Sequence, residues 1–137
     1  MGYALLADLL VLVHLLLVCF VVGGQVAIVV GAVRKWSWIR NPVFRVGHVL
    51  TIVLIAANAT AGILCPLTEW EYALRDRAGQ VVETDISFMG RLVRGVLFYE
   101  LPTWVFTLAY VLFALVVIAT LIFVPPRWRR KRTGHAC

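Results

Sequence analysis

Five polar residues in this chain of 137 residues could do chemistry together. They are an imidazole, a thiol and three carboxylates, namely His14, Cys65, Asp8, Glu69 and Glu71. Such groups can bind a metal ion, relay a proton or hold a polar headgroup. The competing interpretation is structural: His14 would hydrogen-bond a neighbouring helix, and Glu71 would cap the start of one. The choice depends on whether the fold brings these residues to one place.

The composition identifies their surroundings. Hydrophobic residues make up 62% of the chain and charged residues 15%, and the mean hydropathy is +0.92. Soluble domains contain about 45–50% apolar and about 25% charged residues. An ordinary water-soluble enzyme, a disordered protein and a coiled coil are therefore excluded. Spans at about 5–33, 45–64 and 101–124 are each close to or above the length of about 20 residues that crosses a bilayer.

The loop charges predict how these spans are oriented. The first loop carries four basic residues and no acid, and the tail at 125–137 carries five basic residues. The outer segment at 65–100 has four arginines against six acids, a net charge of −2. Because Lys and Arg collect on the cytoplasmic side, we predict an outer N-terminus and a cytoplasmic C-terminus. The predicted fold is a single all-α membrane domain of three transmembrane helices, with two short interfacial helices on the outer, periplasmic side.

The first interfacial helix is predicted from a capping motif. Thr68-x-x-Glu71 has the form of a capping box, in which each side chain satisfies a backbone N–H of the other. This motif predicts a helix over about 69–77, with Glu71 and Arg75 paired at the i,i+4 spacing.

The second interfacial helix is predicted to start after Asp85. Its apolar residues recur at helical spacing, which favours an apolar stripe lying in the acyl boundary. Arg91 and Arg94 lie away from that stripe. Two arginines within the segment argue against a fourth membrane span.

A resemblance covers nearly the whole chain. The run at 62–68, followed by Glu71 and by Leu74-Arg75, resembles the signature G-x-x-C-P-L-T-x-x-E-x-x-L-R. This signature is typical of small bacterial inner-membrane proteins known as the domain of unknown function 2784 family. Asp8, His14 and His48 resemble positions in the first two helices of that family. The resemblance implies a bacterial inner-membrane location, and it implies no activity.

The predicted topology groups the polar residues by depth. If the first two spans are antiparallel, a residue of the first span and the residue of the second span at the same depth have numbers that add up to about 78. His14 then lies level with Cys65, Asp8 lies level with Trp70, and His48 lies near Val30. At about 1.5 Å per residue, the two histidines are roughly 20 Å or more apart along the membrane normal. We therefore exclude a haem or metal ion held by both.

The other polar residues of the spans are predicted to hold the helices together. His48, Thr51 and Asn58 follow one stripe of the second span, and Gln25 lies on a stripe of the first. Such side chains commonly form hydrogen bonds between membrane helices, so we favour packing over a ligand pathway. The cysteines cannot pair with one another in this topology, and Cys65 is either shielded or paired with a partner.

Two functions remain open. We favour a non-catalytic accessory, assembly or anchoring subunit that packs against other membrane protein subunits. The alternative is a protein that binds a quinone, lipid, haem or metal at the cluster of Asp8, His14, Cys65, Glu69 and Glu71. The sequence leans against an enzyme, assigns no catalytic residue and specifies no cofactor, and we expect none. The basic tail is predicted to contact anionic lipid, each basic residue contributing about 1 kcal/mol, and not nucleic acid.

Overall fold

The computed structural model describes residues 1–84 and 86–128, and within these ranges the chain is helical without strands. The helices are α1 (Gly2–Val33), α2 (Pro42–Thr60), α3 (Pro66–Arg77), α4 (Phe88–Leu97) and α5 (Thr103–Phe123), with a 3₁₀ turn at Trp38–Arg40. The helices α1, α2 and α5 are long and apolar enough to cross a membrane. The predicted all-α fold of three spanning helices and two short ones is confirmed. Most of the basic tail lies outside the described residues.

The ends of the spanning helices follow from local chemistry. The Asn41 side chain accepts a hydrogen bond from the backbone N–H of Val43 at 2.9 Å, and Pro42 occupies the first helical position of α2. After α2 the chain passes through Gly62, whose φ of +70° lies in the left-handed region. α1 has 32 residues and is about 48 Å long, which exceeds the roughly 30 Å hydrocarbon core of a bilayer.

The depth register between α1 and α2 differs from the predicted one. The chain reverses at Lys35, which has a φ of 58°, and Ile39 of the 3₁₀ turn already packs beside Gly31. The numbers of two residues at the same depth in α1 and α2 therefore add up to about 70. The sum of 78 was wrong because it placed the reversal near the middle of residues 34–45. His48 accordingly lies against Val21 instead of Val30, which places it about 10 Å from the level of His14 and not the predicted 20 Å or more.

The helices pack mainly as two pairs. α3 lies along the first half of α1, and α2 packs against α5, while α1 contacts α2 and α5 much less. A small core joins the bundle and contains Val21, Ile52, Ala56, Ala114 and Val117. α4 bridges the pairs, since Phe88 reaches α1 and the helix also packs against α5. This pairing leaves a space between the two pairs at the end of the bundle where α3 and α4 lie.

The first turn of α3 overturns the capping-box prediction. The helix begins at Pro66, three residues earlier than expected, so Thr68 lies inside the first turn. Cys65 is the N-cap residue and its side chain makes no capping bond. A helix start at proline explains the difference, because the fixed φ of Pro66 suits the first helical position. The pair of Glu71 and Arg75 is confirmed, with Arg75 Nε donating to Glu71 Oε1 at 2.8 Å.

α4 begins and ends as a short capped helix. The Ser87 hydroxyl accepts a hydrogen bond from the backbone N–H of Gly90 at 3.1 Å, which satisfies one free N–H of the first turn. The helix stops at Phe98, whose φ of 54° is left-handed. Its start agrees with the predicted helix after Asp85, a residue that lies outside the described part.

Candidate functional site

A cavity of about 430 Å³ occupies the space between the two helix pairs. All five helices contribute to its wall, and α3 and α4 close its end. The lining residues are His14, Leu17, Val18, Ile55, Asn58, Ala59, Gly62, Ile63, Leu64, Cys65, Thr68, Thr84, Ser87, Phe88, Met89, Thr103, Phe106, Thr107 and Tyr110. Ligand sites in proteins typically enclose about 300–1,000 Å³ and are mostly apolar with a few polar groups. The cavity has this size and character.

His14 contributes a polar ring to the cavity wall. It lies on the same face of α1 as Leu17 and Val18, as residues three and four positions apart do. Only 7% of His14 is exposed, and its ring stacks on the Phe88 ring with the centroids 4.1 Å apart and the planes 14° apart. Among the described residues, nothing hydrogen-bonds its Nδ1 atom. Phe88 therefore fixes the imidazole in place and leaves this nitrogen free.

A second unsatisfied polar group lies in the same wall. Thr68 is fully buried in α3, and its hydroxyl has no hydrogen-bond partner within the described ranges. Cys65, one turn before Thr68, also lines the cavity and is a half-buried free thiol. An unsatisfied buried polar group costs about 1–3 kcal/mol, so native proteins contain few of them. Two such groups in one cavity wall mark it as a candidate binding site.

Beside the cavity, three charged side chains surround the buried carboxylate of Glu71 and form an ion cluster with it. Glu71 is 1% exposed and accepts hydrogen bonds from Arg91 NH1 at 2.9 Å and from Arg91 NH2 at 2.5 Å. Arg75 binds Glu71 through Nε and also reaches Asp8 Oδ1 through NH2 at 3.0 Å. The Arg91 guanidinium lies over the Tyr72 ring, 5.1 Å from its centroid. The cluster contains two acids and two arginines, so its formal charge is zero.

The ion cluster shifts the pKa values of its members. Burial raises the pKa of the Glu71 carboxyl, but the hydrogen bonds and charges of Arg91 and Arg75 outweigh burial and bring the pKa below its usual value. The hydrogen bonds that Arg91 donates to the Glu71 carboxylate raise the pKa of Arg91. Burial raises the pKa of the Tyr72 phenol, whose hydroxyl donates to the backbone carbonyl of Ile86. Glu71 and Arg91 are therefore charged near neutral pH and Tyr72 is neutral, and the contacts of Glu71 with Arg91 join α3 to α4.

The structure divides the five residues that the sequence grouped together. His14 and Cys65 line the cavity, whereas Asp8 and Glu71 belong to the ion cluster. Glu69 is exposed in the first turn of α3 and belongs to neither. In the described ranges, no three His, Cys, Asp or Glu side chains are placed to hold a metal ion.

Sequence reasoning missed three important residues of this region. Arg91 was placed only on the polar side of an interfacial helix, and Thr68 was assigned to a cap. Phe88 carried no sequence signal at all. An excess of acids in the segment 65–100 could have indicated an internal partner for Arg91, since buried charges require pairing.

Comparison with known families identifies the family of this chain. A family model described as "Protein of Unknown function (DUF2784)" matches residues 4–126. The chain belongs to this family. The resemblance noted from the sequence is thereby confirmed. No curated protein and no solved structure matches the chain significantly. The family description gives no activity.

The remaining polar residues of the spans make different kinds of contact in this DUF2784 chain. The Gln25 amide lies 3.4 Å from the Thr120 hydroxyl of α5. His48 Nε2 lies 2.8 Å from a backbone carbonyl of α1, and since a carbonyl only accepts, this nitrogen carries the hydrogen. Thr51 bonds to a carbonyl of its own helix one turn earlier. Asn58 lines the cavity instead of contacting another helix through a hydrogen bond in the described part.

A buried arginine lies at the opposite end of the DUF2784 bundle. Arg45 of α2 is fully buried, and its NH2 group donates to the carbonyls of Thr120 at 2.6 Å and Val124 at 2.9 Å. These carbonyls belong to the C-terminal end of α5, where the helix dipole favours a cation. Within the described ranges Arg45 has no acidic partner. The sequence identified this residue only as a loop charge.

Proposed function

We propose that this protein binds a small membrane-soluble ligand in the cavity between its two helix pairs. The observation that carries the proposal is the mostly apolar cavity of about 430 Å³ with unpartnered groups of His14 and Thr68 in its wall. Both atoms are closed off from water, so a ligand would reach them through a small movement of the wall and would then offset a cost of about 1–3 kcal/mol for each group. Apolar neighbours on α2 and α5 would accommodate the rest of the ligand.

The ion cluster supports this proposal by holding the cover of the cavity. Arg91 lies one turn after Phe88 on α4, and its pairing with buried Glu71 fixes that turn against α3. Phe88 in turn is 7% exposed and stacks on His14. The pairing of Arg91 with Glu71 would therefore position the Phe88 ring in the cavity wall.

The proposed location is the bacterial inner membrane, with the cavity near its outer face. The basic first loop and basic tail favour the cytoplasm, and the acidic segment 65–100 favours the outside. In this orientation α3, α4 and the cavity lie towards the periplasm. A ligand would then be captured from the outer part of the bilayer.

Native mass spectrometry of tagged protein, extracted gently from its own membranes and paired with an absorbance spectrum, tests this function. We expect the chain to carry a discrete extra mass, and we expect His14→Leu and Thr68→Val to lower the fraction of protein that carries it. Thr60→Val is the matched control, because Thr60 is exposed, bonds only to its own helix and lies outside the cavity. An empty protein that melts normally would contradict the proposal, and a Soret band would identify the mass as haem.

A second candidate function, an accessory or anchoring subunit, is favoured by one observation on α1. Cys19 is exposed, and no described atom lies within 4 Å of a Cβ built on Gly23, one turn later. Small residues four apart on a free face allow another membrane helix to approach closely. In the same mass spectra, a stoichiometric larger partner together with an empty cavity would favour this function.

A further inference from the structure

We infer that the cavity selects an uncharged amphiphile that presents a carbonyl oxygen, and that it discriminates against fatty acids and phospholipids. This inference rests on the proposed function and names the chemical class of its ligand. Isoprenoid quinones and neutral glycerides share the required chemistry, since each combines carbonyl oxygens with a hydrocarbon tail.

The absence of charge in the wall carries the first part of the inference. No Asp, Glu, Lys or Arg lines the cavity among the residues that the structure describes. Three arginines of α3 and α4 are already paired with acids. Arg91 directs NH1 and NH2 to Glu71, and Arg75 bridges Glu71 and Asp8. Arg94 pairs with Glu83 and Glu100. A carboxylate or phosphate in the cavity would be buried without a counter-charge, which is strongly unfavourable. An uncharged headgroup avoids this penalty.

The kinds of polar group in the wall carry the second part. Thr68 has a hydroxyl hydrogen without an acceptor in the described residues, and His14 has a free ring nitrogen. Tyr110 adds a phenol to the same wall. A hydroxyl donates to a carbonyl oxygen, whose two lone pairs accept. The aromatic rings of Phe88 and Phe106 provide flat apolar surfaces for a ring or an ester group.

The size and opening of the cavity agree with an amphiphile whose tail remains in the bilayer. A cavity of about 150 Å³ holds a benzene molecule, so about 430 Å³ holds a headgroup and the first carbons of a chain. The wall reaches the protein surface at Ile63, which is 54% exposed, and at Thr103. These residues follow α2 and begin α5. The tail would leave between these two helix ends into lipid.

The test uses the protection of Cys65 from alkylation by N-ethylmaleimide. The protein is the full chain in detergent micelles carrying Cys19→Ser and Cys137→Ser, so that Cys65 is the remaining thiol. The probes are a short-chain isoprenoid benzoquinone, dioctanoylglycerol, oleate and dioctanoyl phosphatidylglycerol. Dioctylglycerol diether, which lacks the ester carbonyls, is the matched control for dioctanoylglycerol.

We expect the benzoquinone or dioctanoylglycerol to slow alkylation of Cys65 about tenfold when present at ten times its dissociation constant. Oleate, the phosphatidylglycerol and the diether should leave the rate nearly unchanged at the same concentration. Protection by the benzoquinone alone or by the diester alone identifies which source supplies the carbonyl. Thr68→Val should raise the dissociation constant of the protecting probe roughly fivefold, the typical loss for one hydrogen bond, and Thr60→Val should leave it unchanged.

The outcomes separate this inference from the function on which it rests. If oleate or phosphatidylglycerol protects Cys65 as well as the benzoquinone or dioctanoylglycerol does, the inferred ligand class is wrong. The proposed ligand binding is then still supported. Equal protection by the diether overturns the requirement for a carbonyl. No protection by any probe, together with an empty protein in native mass spectra, overturns both. The probe comparison uses wild-type residues in the cavity, so it does not depend on whether a cavity variant folds.

Discussion

Replacing Glu71 with glutamine tests whether the ion cluster around this buried carboxylate holds α4 in place. Glutamine has nearly the same shape as glutamate, so Glu71→Gln removes the charge without leaving a hole. One side-chain oxygen remains, and the other becomes an NH₂ group that faces the donors of Arg91. The variant therefore loses the charge pairing with both arginines and creates a contact between two donors.

The size of the effect follows from burial. Removing one partner of a fully buried ion pair costs about 3–5 kcal/mol. Glu71 is 1% exposed, but the side chains of Arg75 and Arg91 are 22% and 27% exposed. Water can therefore solvate part of the released charge. We expect Glu71→Gln to reduce the free energy that holds α4 closed by about 2–3 kcal/mol, slightly below the range for a buried pair.

Hydrogen exchange of the α4 backbone amides measures this free energy directly. A loss of about 2–3 kcal/mol corresponds to exchange that is roughly 30- to 150-fold faster in residues 88–97. Glu69→Gln is the matched control on the same helix, since Glu69 is exposed, and its exchange should stay within about twofold. If α4 exchanges at the same rate in both variants, the ion cluster does not hold this helix and our reasoning fails.

Two further predictions concern pH and packing. Because the folded pKa of Glu71 lies below its ordinary value of about 4.3, its stabilisation is complete above that pH and is lost as the pH falls towards the folded value. The difference in thermal midpoint between wild type and Glu71→Gln should therefore be constant from about pH 7 to 5 and shrink below about pH 4.3. Gly24→Ala should cost about 1–3 kcal/mol in thermal unfolding, since its Cβ would lie 2.9 Å from the ring of His48, which is held by a hydrogen bond. Gly23→Ala, with no described atom within 4 Å of its Cβ, should cost nothing, and equal losses would contradict the packing argument.

The spanning helices were predictable because the bilayer leaves few choices. Long apolar segments must satisfy their backbone groups internally, so composition and length alone indicate α1, α2 and α5. The short helices were predicted less well. The start of α3 is set by Pro66, and a shift of three residues moved Thr68 from a cap into the first turn. That shift converted an expected capping group into an unsatisfied hydroxyl in the cavity wall.

The candidate site was predictable only in part because it depends on tertiary pairing. The prediction that His14 and Cys65 lie together rested on a wrong depth register, and both line the cavity because the chain turns back after α2 and α3 packs along α1. The sequence could not show that α1 pairs with α3 while α2 pairs with α5, which creates the space between them. It also could not show that Lys35 adopts a left-handed conformation, which moved the reversal of the chain and the contacts of His48.

The same pairing explains why cavity and cluster are coupled. Phe88 and Arg91 are three residues apart and therefore lie on adjacent turns of one face of α4. Phe88 covers His14, while Arg91 lies over the Tyr72 ring and binds Glu71. A movement of the α4 backbone that separates Arg91 from Glu71 would also displace Phe88 from the cavity wall. A ligand that binds only the covered form would stabilise that form by mass action, so our proposal predicts that ion pairing and ligand capture form a single equilibrium in which each strengthens the other.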